Sequence, residues 1–349
     1  MRRLIVFLIA LALVAGAPGP ARAEGEPSPI YDVEGLRAMA DAPQGRYRLM
    51  NDIDMSGADW TPIAFSGELD GGGYGLYNLR VTGTGAQTRV TRDGNMKEYD
   101  TTFAGLFSVL ENAVVRNLKL VGAEVLVEND AHCFAAILTG YAQDSTVSGV
   151  SVSGRVRMNS RGVMVGVAGL AGFGCGRFDR CDAKVELIFE DRNFDSRCEE
   201  FMGGVLACGI ADIDACMVDI DGYDSCHGYV HNGGLVGMYY HCGTKYASGP
   251  VNNNIIEGRI RFFEDNPDRR AYCKAVIGES LSKPTQTKGN FDAFKRDEVK
   301  TFDVVLLPEQ CAEPSYVETV VPPAGGRWGF TRHKCSVCGY SWTDSYTAP

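Results

Sequence analysis

The sequence predicts an all-β chain whose repeats stack as a parallel β-helix, followed by a small β module at its C-terminal end. Three observations point there. Two short apolar phrases recur along the middle of the chain, they keep a fixed offset from one another, and no helical stretch of ten or more residues separates them. A repeat of about three dozen residues is the mark of a stacked solenoid. Strands that recur without intervening helices are not βαβ units.

The first phrase carries Leu106, Ile137, Leu170, Val205, Leu235 and Val276, at steps of 31, 33, 35, 30 and 41 residues. The second carries Leu79, Leu118, Val150, Cys181, Cys216 and Asn254, at steps of 39, 32, 31, 35 and 38. From Leu106 onward the second phrase trails the first by 12, 13, 11 and 11 residues, then slips to 19, which marks an insertion between Leu235 and Asn254. Each phrase alternates apolar or small residues with polar ones and is bounded by Gly, Asn, Asp or Ser, the grammar of a strand. Stacked coils lie about 4.8 Å apart, so equivalent positions become vertical neighbours. Leu79, Leu118 and Val150 should therefore form one inward ladder, continued by Cys181 and Cys216 and ended by Asn254, whose amide suits a tight turn. Variable excursions should leave the spool at one corner, where recognition usually resides.

The phrases Met50-Asn51-Asp52-Ile53-Asp54-Met55, Trp60-Thr61-Pro62-Ile63, Phe65-Ser66-Gly67-Glu68-Leu69-Asp70-Gly71 and Asn78-Leu79 resemble those of GLUG-motif secreted bacterial proteins. Gly105-Leu106-Phe107 and Gly233-Gly234-Leu235-Val236-Gly237 are similar to the motif that names that family. The resemblance covers residues 30–122 and continues as periodicity to about 280. It implies a right-handed, pectin-lyase-like solenoid with a helix capping the first coil, and a cell-surface or adhesion role. Residues 31–42 fit that helix, with Asp32 as N-cap and Leu36, Met39 and Ala40 on an apolar face. Some such modules accompany metallopeptidases that carry His-Glu-x-x-His. The five histidines here form no such string.

Residues 1–23 read as a secretory signal peptide, with Arg2 and Arg3, an apolar run from Leu4 to Ala15, and a small-residue cleavage site at Ala21-Arg22-Ala23. The formal charge is −10, and that leader holds three arginines and no acid, so the remainder carries −13. Such a charge argues against nucleic acid and anionic membranes as partners. No later segment is apolar for long enough to span a bilayer. The expected setting is secreted or cell-surface, and the expected partner an extracellular glycan or surface protein. All twelve cysteines follow the leader. Export permits disulfides, and Cys181 and Cys216 fall on adjacent coils at a separation a bond could span. A pair of buried thiols is the competing reading.

The repeat region is expected over 24–283, a linker over 284–310 and a Cys-bearing module over 311–349. Trp328-Gly329-Phe330 and Cys335-Ser336-Val337-Cys338-Gly339-Tyr340 resemble small modules that end Firmicute surface proteins, although Ala324 and Gly325 stand where those carry a Cys. Cys335 and Cys338 have zinc-ligand spacing, with Cys311 and His333 to complete a site. In an exported chain a disulfide or free thiols compete with that reading, and no cofactor is called for.

The densest cluster of functional side chains runs from Asp221 to Asn232, with Tyr240 after it. Tyr223, Asp224, His227, Tyr229, His231 and Tyr240 combine aromatic faces with carboxylate and imidazole groups, which suits a sugar ring. His227, His231 and Asp224 could instead take a metal, and a loop that packs its tyrosines on the spool explains the same residues. Asp52, Asp54 and Asp70 could ligate calcium or simply close turns. Asp191, Asp195, Glu199 and Glu200, with Arg192 and Arg197, read as a solvated charged loop. β-Helices also host polysaccharide lyases and glycoside hydrolases, but the sequence shows no acidic pair at one phase on adjacent coils with an Arg or Lys beside it. The expectation is a non-catalytic binding or adhesion protein. A carbohydrate-cleaving enzyme is the alternative, and a spacer without ligand, tolerant of Tyr223→Ala and His227→Ala, the third.

Overall fold

The computed structural model describes residues 25–92, 97–191, 198–224, 229–241, 246–263, 271–299, 315–323, 329–336 and 341–347. Residues 1–23, where a signal peptide is expected, lie outside them. The chain is all-β, and three long sheets of parallel strands dominate it. One complete turn runs through His132–Ala136 in sheet C, Thr139–Ser148 in sheet A and Ser151–Ser160 in sheet B. The next turn repeats the course as Met164–Ala168, Ala171–Asp179 and Asp182–Asp191, each strand pairing in parallel with its predecessor.

The corners explain the phrases. Passing from sheet A to sheet B, the chain turns through a left-handed residue: Asn117, Gly149, Arg180, Ala215 and Asn253 have φ of 52, 59, 51, 53 and 58°. Asn and Gly tolerate that conformation, and Ala and Arg do so at a cost. The next residue points inward, and its carbonyl accepts from the coil above: Leu118 O from Ser151 N, Val150 O from Asp182 N, Cys181 O from Met217 N, Cys216 O from Ile255 N. The inward ladder from Leu118 to Cys216 is therefore as expected, each member under 2% exposed. It does not end at Asn254. Phe291 N donates to Asn254 O, and Asn254 Nδ2 donates to Asn290 Oδ1 at 2.9 Å. The ladder also does not begin at Leu79. Lys119 pairs with Gly75 and Glu124 with Arg80, so Leu79 lies level with Ala123.

Three further expectations need correction. The capping helix is one turn of α-helix, Val33–Arg37, followed by a 3-10 turn, Ala38–Ala40. Asp32 caps it, accepting from Gly35 N at 2.8 Å. Leu36 and Met39 are buried, but Ala40 faces solvent. Parallel pairing also continues past residue 283: Phe291–Asp292 and Lys295–Val299 both add to Ile255–Phe263 in sheet B. Among the described residues this coil pairs on one side only, which suits a polar composition. Finally, Glu199–Gly203 is a strand of sheet C in which Glu200 is buried, so Glu199 and Glu200 belong to no solvated loop. Residues 192–197 lie outside the described residues.

The chain passes from sheet B to sheet C between Asn129 and His132, Ser160 and Met164, Asp191 and Glu199, Asp224 and Tyr229, and Phe263 and Ala271. Length variation gathers at this corner, while the other two corners hold two residues each through the central turns. Inward residues such as Val125, Val156 and Leu187 stack in register and are fully buried. Each contributes about 1.5–3 kcal/mol of apolar burial. A second apolar cluster forms outside the spool, where the outer faces of sheets A and C meet, from Tyr99, Phe103, Phe134, Tyr141, Phe173, Phe201 and neighbours.

The C-terminal module is an antiparallel sheet of Tyr316–Val321, Gly329–Cys335 and Ser341–Thr347. Its last strand rests on sheet B, and Arg332 pairs with Glu257 at 3.6 Å.

Candidate functional site

Strand alternation separates the residues that the sequence places in one cluster. In Met217–Asp224, Tyr223 faces outward beneath the Arg261 guanidinium, 3.5 Å from its ring centroid, and Arg261 also bonds Asp221. Asp224 points the other way, into the spool, where Asn232 Nδ2 donates to its Oδ2 at 2.8 Å. Across the corner, Tyr229 is exposed on sheet C, while His231 is buried two residues later on the same face. Tyr240 packs in the exterior apolar cluster. His227 lies outside the described residues. The five described residues thus occupy three surfaces and do not converge.

His231 has a structural place of its own. Its ring lies between Phe201, at 5.0 Å and 14°, and Tyr272, at 5.8 Å and 8°. Its Nδ1 stands 2.7 Å from Glu279 Oε2. That contact holds the Glu279 carboxyl below the usual glutamate range, against the opposing effect of its burial.

The other candidate ligand groups are occupied. Asp52 accepts from Gly75 N, Asp54 from Ser56 and Asn78, and Asp70 from Gly72 N and Asn117. These bonds close turns and tie successive coils. Cys335 ends a strand of the module, His333 pairs with Glu318 at 3.4 Å, and Cys311 and Cys338 lie outside the described residues. Among the described residues no three His, Cys, Asp or Glu side chains gather closely enough to hold a metal.

A different site comes from the insertion that the phase slip marks. Between Val236–Tyr239 and Val251–Asn252 the chain leaves sheet A and returns to it. The Tyr239 hydroxyl clamps the returning segment, donating toward Ala211 O and accepting from Gly249 N at 3.2 Å. Pro250 O accepts from Ile213 N at 2.8 Å. The Asp212 side chain lies flat on Gly249, where a Cβ would sit 1.4 Å from Asp212 Oδ1, so only glycine fits.

This segment walls a cleft of about 200 Å³ on the outer face of sheet A, lined by Arg177, Asp212, Asp214, Pro250, Asn252 and Asn253. Arg177 stands opposite Asp212 on the preceding coil, and Asp179 opposite Asp214. Asp214 Oδ1 accepts from Asn253 Nδ2 at 2.7 Å. The Asn252 amide is taken up by Gln286 Oε1 and Lys288 N, both at 2.8 Å. Arg177 is exposed, and among the described residues its guanidinium has no hydrogen bond or ion pair.

Burial raises the Asp212 carboxyl above the usual aspartate range, against the pull of Arg177 and a hydrogen bond from Tyr246. Burial likewise raises Asp214, opposed by Asn253 and reinforced by Asp179. The Tyr246 phenol is pushed up to about 12, by burial first and Asp212 second. Two carboxylates that accept and one fork that donates make a site for a polyhydroxylated or peptide-like ligand. Asp179 and Asp214 are also an acidic pair in register on adjacent coils, with Arg177 and Arg180 beside them. The expectation that no such pair exists is therefore corrected. The sequence count missed it because Arg177-Phe178-Asp179 and Asp212-Ile213-Asp214 read as ordinary strand alternation until aligned.

No family profile matches the chain. It is similar to Halomucin of Haloquadratum walsbyi (strain DSM 16790 / HBSQ001), with 29% identity over 181 residues, which cover 47% of this chain and 2% of that protein. The chain thus matches only a small fraction of that relative's length. Among the described residues no helix is long and apolar enough to cross a membrane.

Proposed function

We propose that this chain is a secreted or cell-surface protein that binds a glycan or a surface protein without catalysis, using the cleft that its insertion builds on sheet A. In this reading the parallel sheets form a right-handed, pectin-lyase-like β-helix of the GLUG type. Right-handed crossovers between parallel strands are the overwhelming rule. The similarity to Halomucin supports a surface or secreted setting. The observation that carries the reading is the free Arg177 fork facing Asp212 across a walled cleft, where other carboxylates of the coil corners already close turns.

A carbohydrate-cleaving enzyme is the second reading. It is favoured by two carboxyls held above their usual range beside an arginine, the raw material of acid–base chemistry. A glycan array on the purified protein, followed by a turnover assay on each hit, separates the two. Binding without product, weakened tenfold or more by Asp212→Asn, supports the binding role. Product formation abolished by one carboxylate substitution would replace it with the enzyme. Absence of any ligand, glycan or protein, would leave the spacer.

A further inference from the structure

Resting on that cleft reading, we infer that the occupant is a single hydroxyl-rich sugar ring, uncharged or amine-bearing, and that the cleft rejects acidic sugars. Size sets the first limit. A cleft of about 200 Å³ has room for one sugar ring and is too small for a helix. Spacing sets the second. Asp212 and Asp214 face the same way two residues apart, so their carboxylates flank roughly 7 Å of strand. Arg177 faces Asp212 from the preceding coil, roughly 5 Å away. A six-membered ring lying across these three groups presents hydroxyls that both donate to carboxylates and accept from the guanidinium.

Charge decides the class. Arg180 is bound to Asp179 through two bonds, at 2.9 and 2.7 Å, and so is not available to a ligand. Arg177 then stands alone against Asp212 and Asp214, with Asp144 close to Tyr246 on the same side. A uronate or sulfate group would gain one cation and face several carboxylates in a partly dry cleft, where such repulsion is poorly screened. An ammonium group would meet the opposite balance. Hydroxyls satisfy both donor and acceptors without adding charge.

The test measures binding of neutral, chitosan-type and uronate or sulfated oligosaccharides to the full chain by calorimetry at pH 7 and two salt concentrations. Thermal melts check that each variant folds. Neutral or amine-bearing oligomers should bind, Asp212→Asn and Asp214→Asn should each weaken them tenfold or more, and added salt should weaken only the amine-bearing ligands. Acidic oligomers binding as tightly, with Arg177→Ala abolishing the effect, would overturn the sugar class while leaving the cleft a glycan site. Glycan binding that none of the three substitutions alters would overturn both the class and the cleft. No binding of any oligomer would overturn glycan recognition itself.

Discussion

The rings of Phe134 and Phe201 stack at 5.9 Å and 23°, although a whole strand runs between the strands that bear them. Phe134 pairs with Gly166 and Gly166 with Phe201, so two rings on coils about 9.6 Å apart lean together over a residue without a side chain. A Cβ at position 166 would meet Phe134 Cδ1 and Cε1 at 2.5 Å. The column continues through His231 to Tyr272, and the exterior apolar cluster depends on its closure.

Gly166→Ala should therefore be an overpacking change. The methyl group has no space unless one ring rotates away, and the expected loss is about 1–3 kcal/mol of unfolding free energy. Denaturant unfolding followed by tryptophan and far-UV signals would measure it. A variant as stable as the parent would mean that the ring column adjusts freely.

The left-handed corners allow the opposite kind of change. Ala215 has φ of 53° in a column where Asn117, Gly149 and Asn253 meet the same demand with more tolerant residues. A left-handed alanine costs roughly 1–2 kcal/mol, part of which glycine loses again through the entropy of the unfolded chain. Ala215→Gly should leave a net gain of about 0.5 kcal/mol, seen as a raised denaturation midpoint. The same exchange at Ala183, an ordinary buried strand position, should destabilise instead.

Much of this was legible in the sequence, for reasons that particular residues make plain. Leu118, Val150, Cys181 and Cys216 were readable as a ladder because inward positions above and below them accept only small or apolar groups. Leu79 misled because Asn78, at φ of 61°, bends the chain within sheet B, level with Gly122, and not at the corner that Asn117 turns. Tyr223 and Asp224 suggested one site because they are neighbours in sequence, yet neighbours in a strand face opposite ways. The cleft was hidden because its parts lie on three coils. Its signal was the slip from 11 to 19, which announced an insertion without saying that Gly249 and Pro250 would close it over Asp212.

The His231–Glu279 pair makes a pH prediction. Glu279 is held below its usual range in the folded chain, chiefly by the bond from His231. A depressed carboxyl contributes stability that is fully present above its unfolded pKa, near 4.5, and lost as pH falls through the lower folded value. Glu279→Gln should thus lower the melting temperature at pH 7 by on the order of 2 °C. The gap between parent and variant should narrow as pH drops below about 4.5. A gap that stays constant from pH 7 to pH 3 would show that the carboxylate's charge contributes nothing there.

Cys181 and Cys216 supply the last prediction. Both face the interior on successive coils, and each sulfur lies within reach of backbone carbonyls: Cys181 of Asp179 O at 3.4 Å, Cys216 of Asp214 O at 3.5 Å. A thiol satisfied in this way has its hydrogen placed, and burial raises the Cys216 thiol well above its ordinary range. Cys133 is similarly pushed up to about 12 by burial. Since the thiolate is the reactive form, Cys133 and Cys216 are almost wholly protonated at pH 8, and Cys181 is sealed from solvent as they are. Iodoacetamide should leave Cys133, Cys181 and Cys216 unmodified in the native chain at pH 8, and peptide mass spectrometry should find all three carboxamidomethylated after unfolding without reductant. If Cys181 and Cys216 are modified only after reduction, they are joined as a disulfide, and the two-carbonyl arrangement is not their resting state.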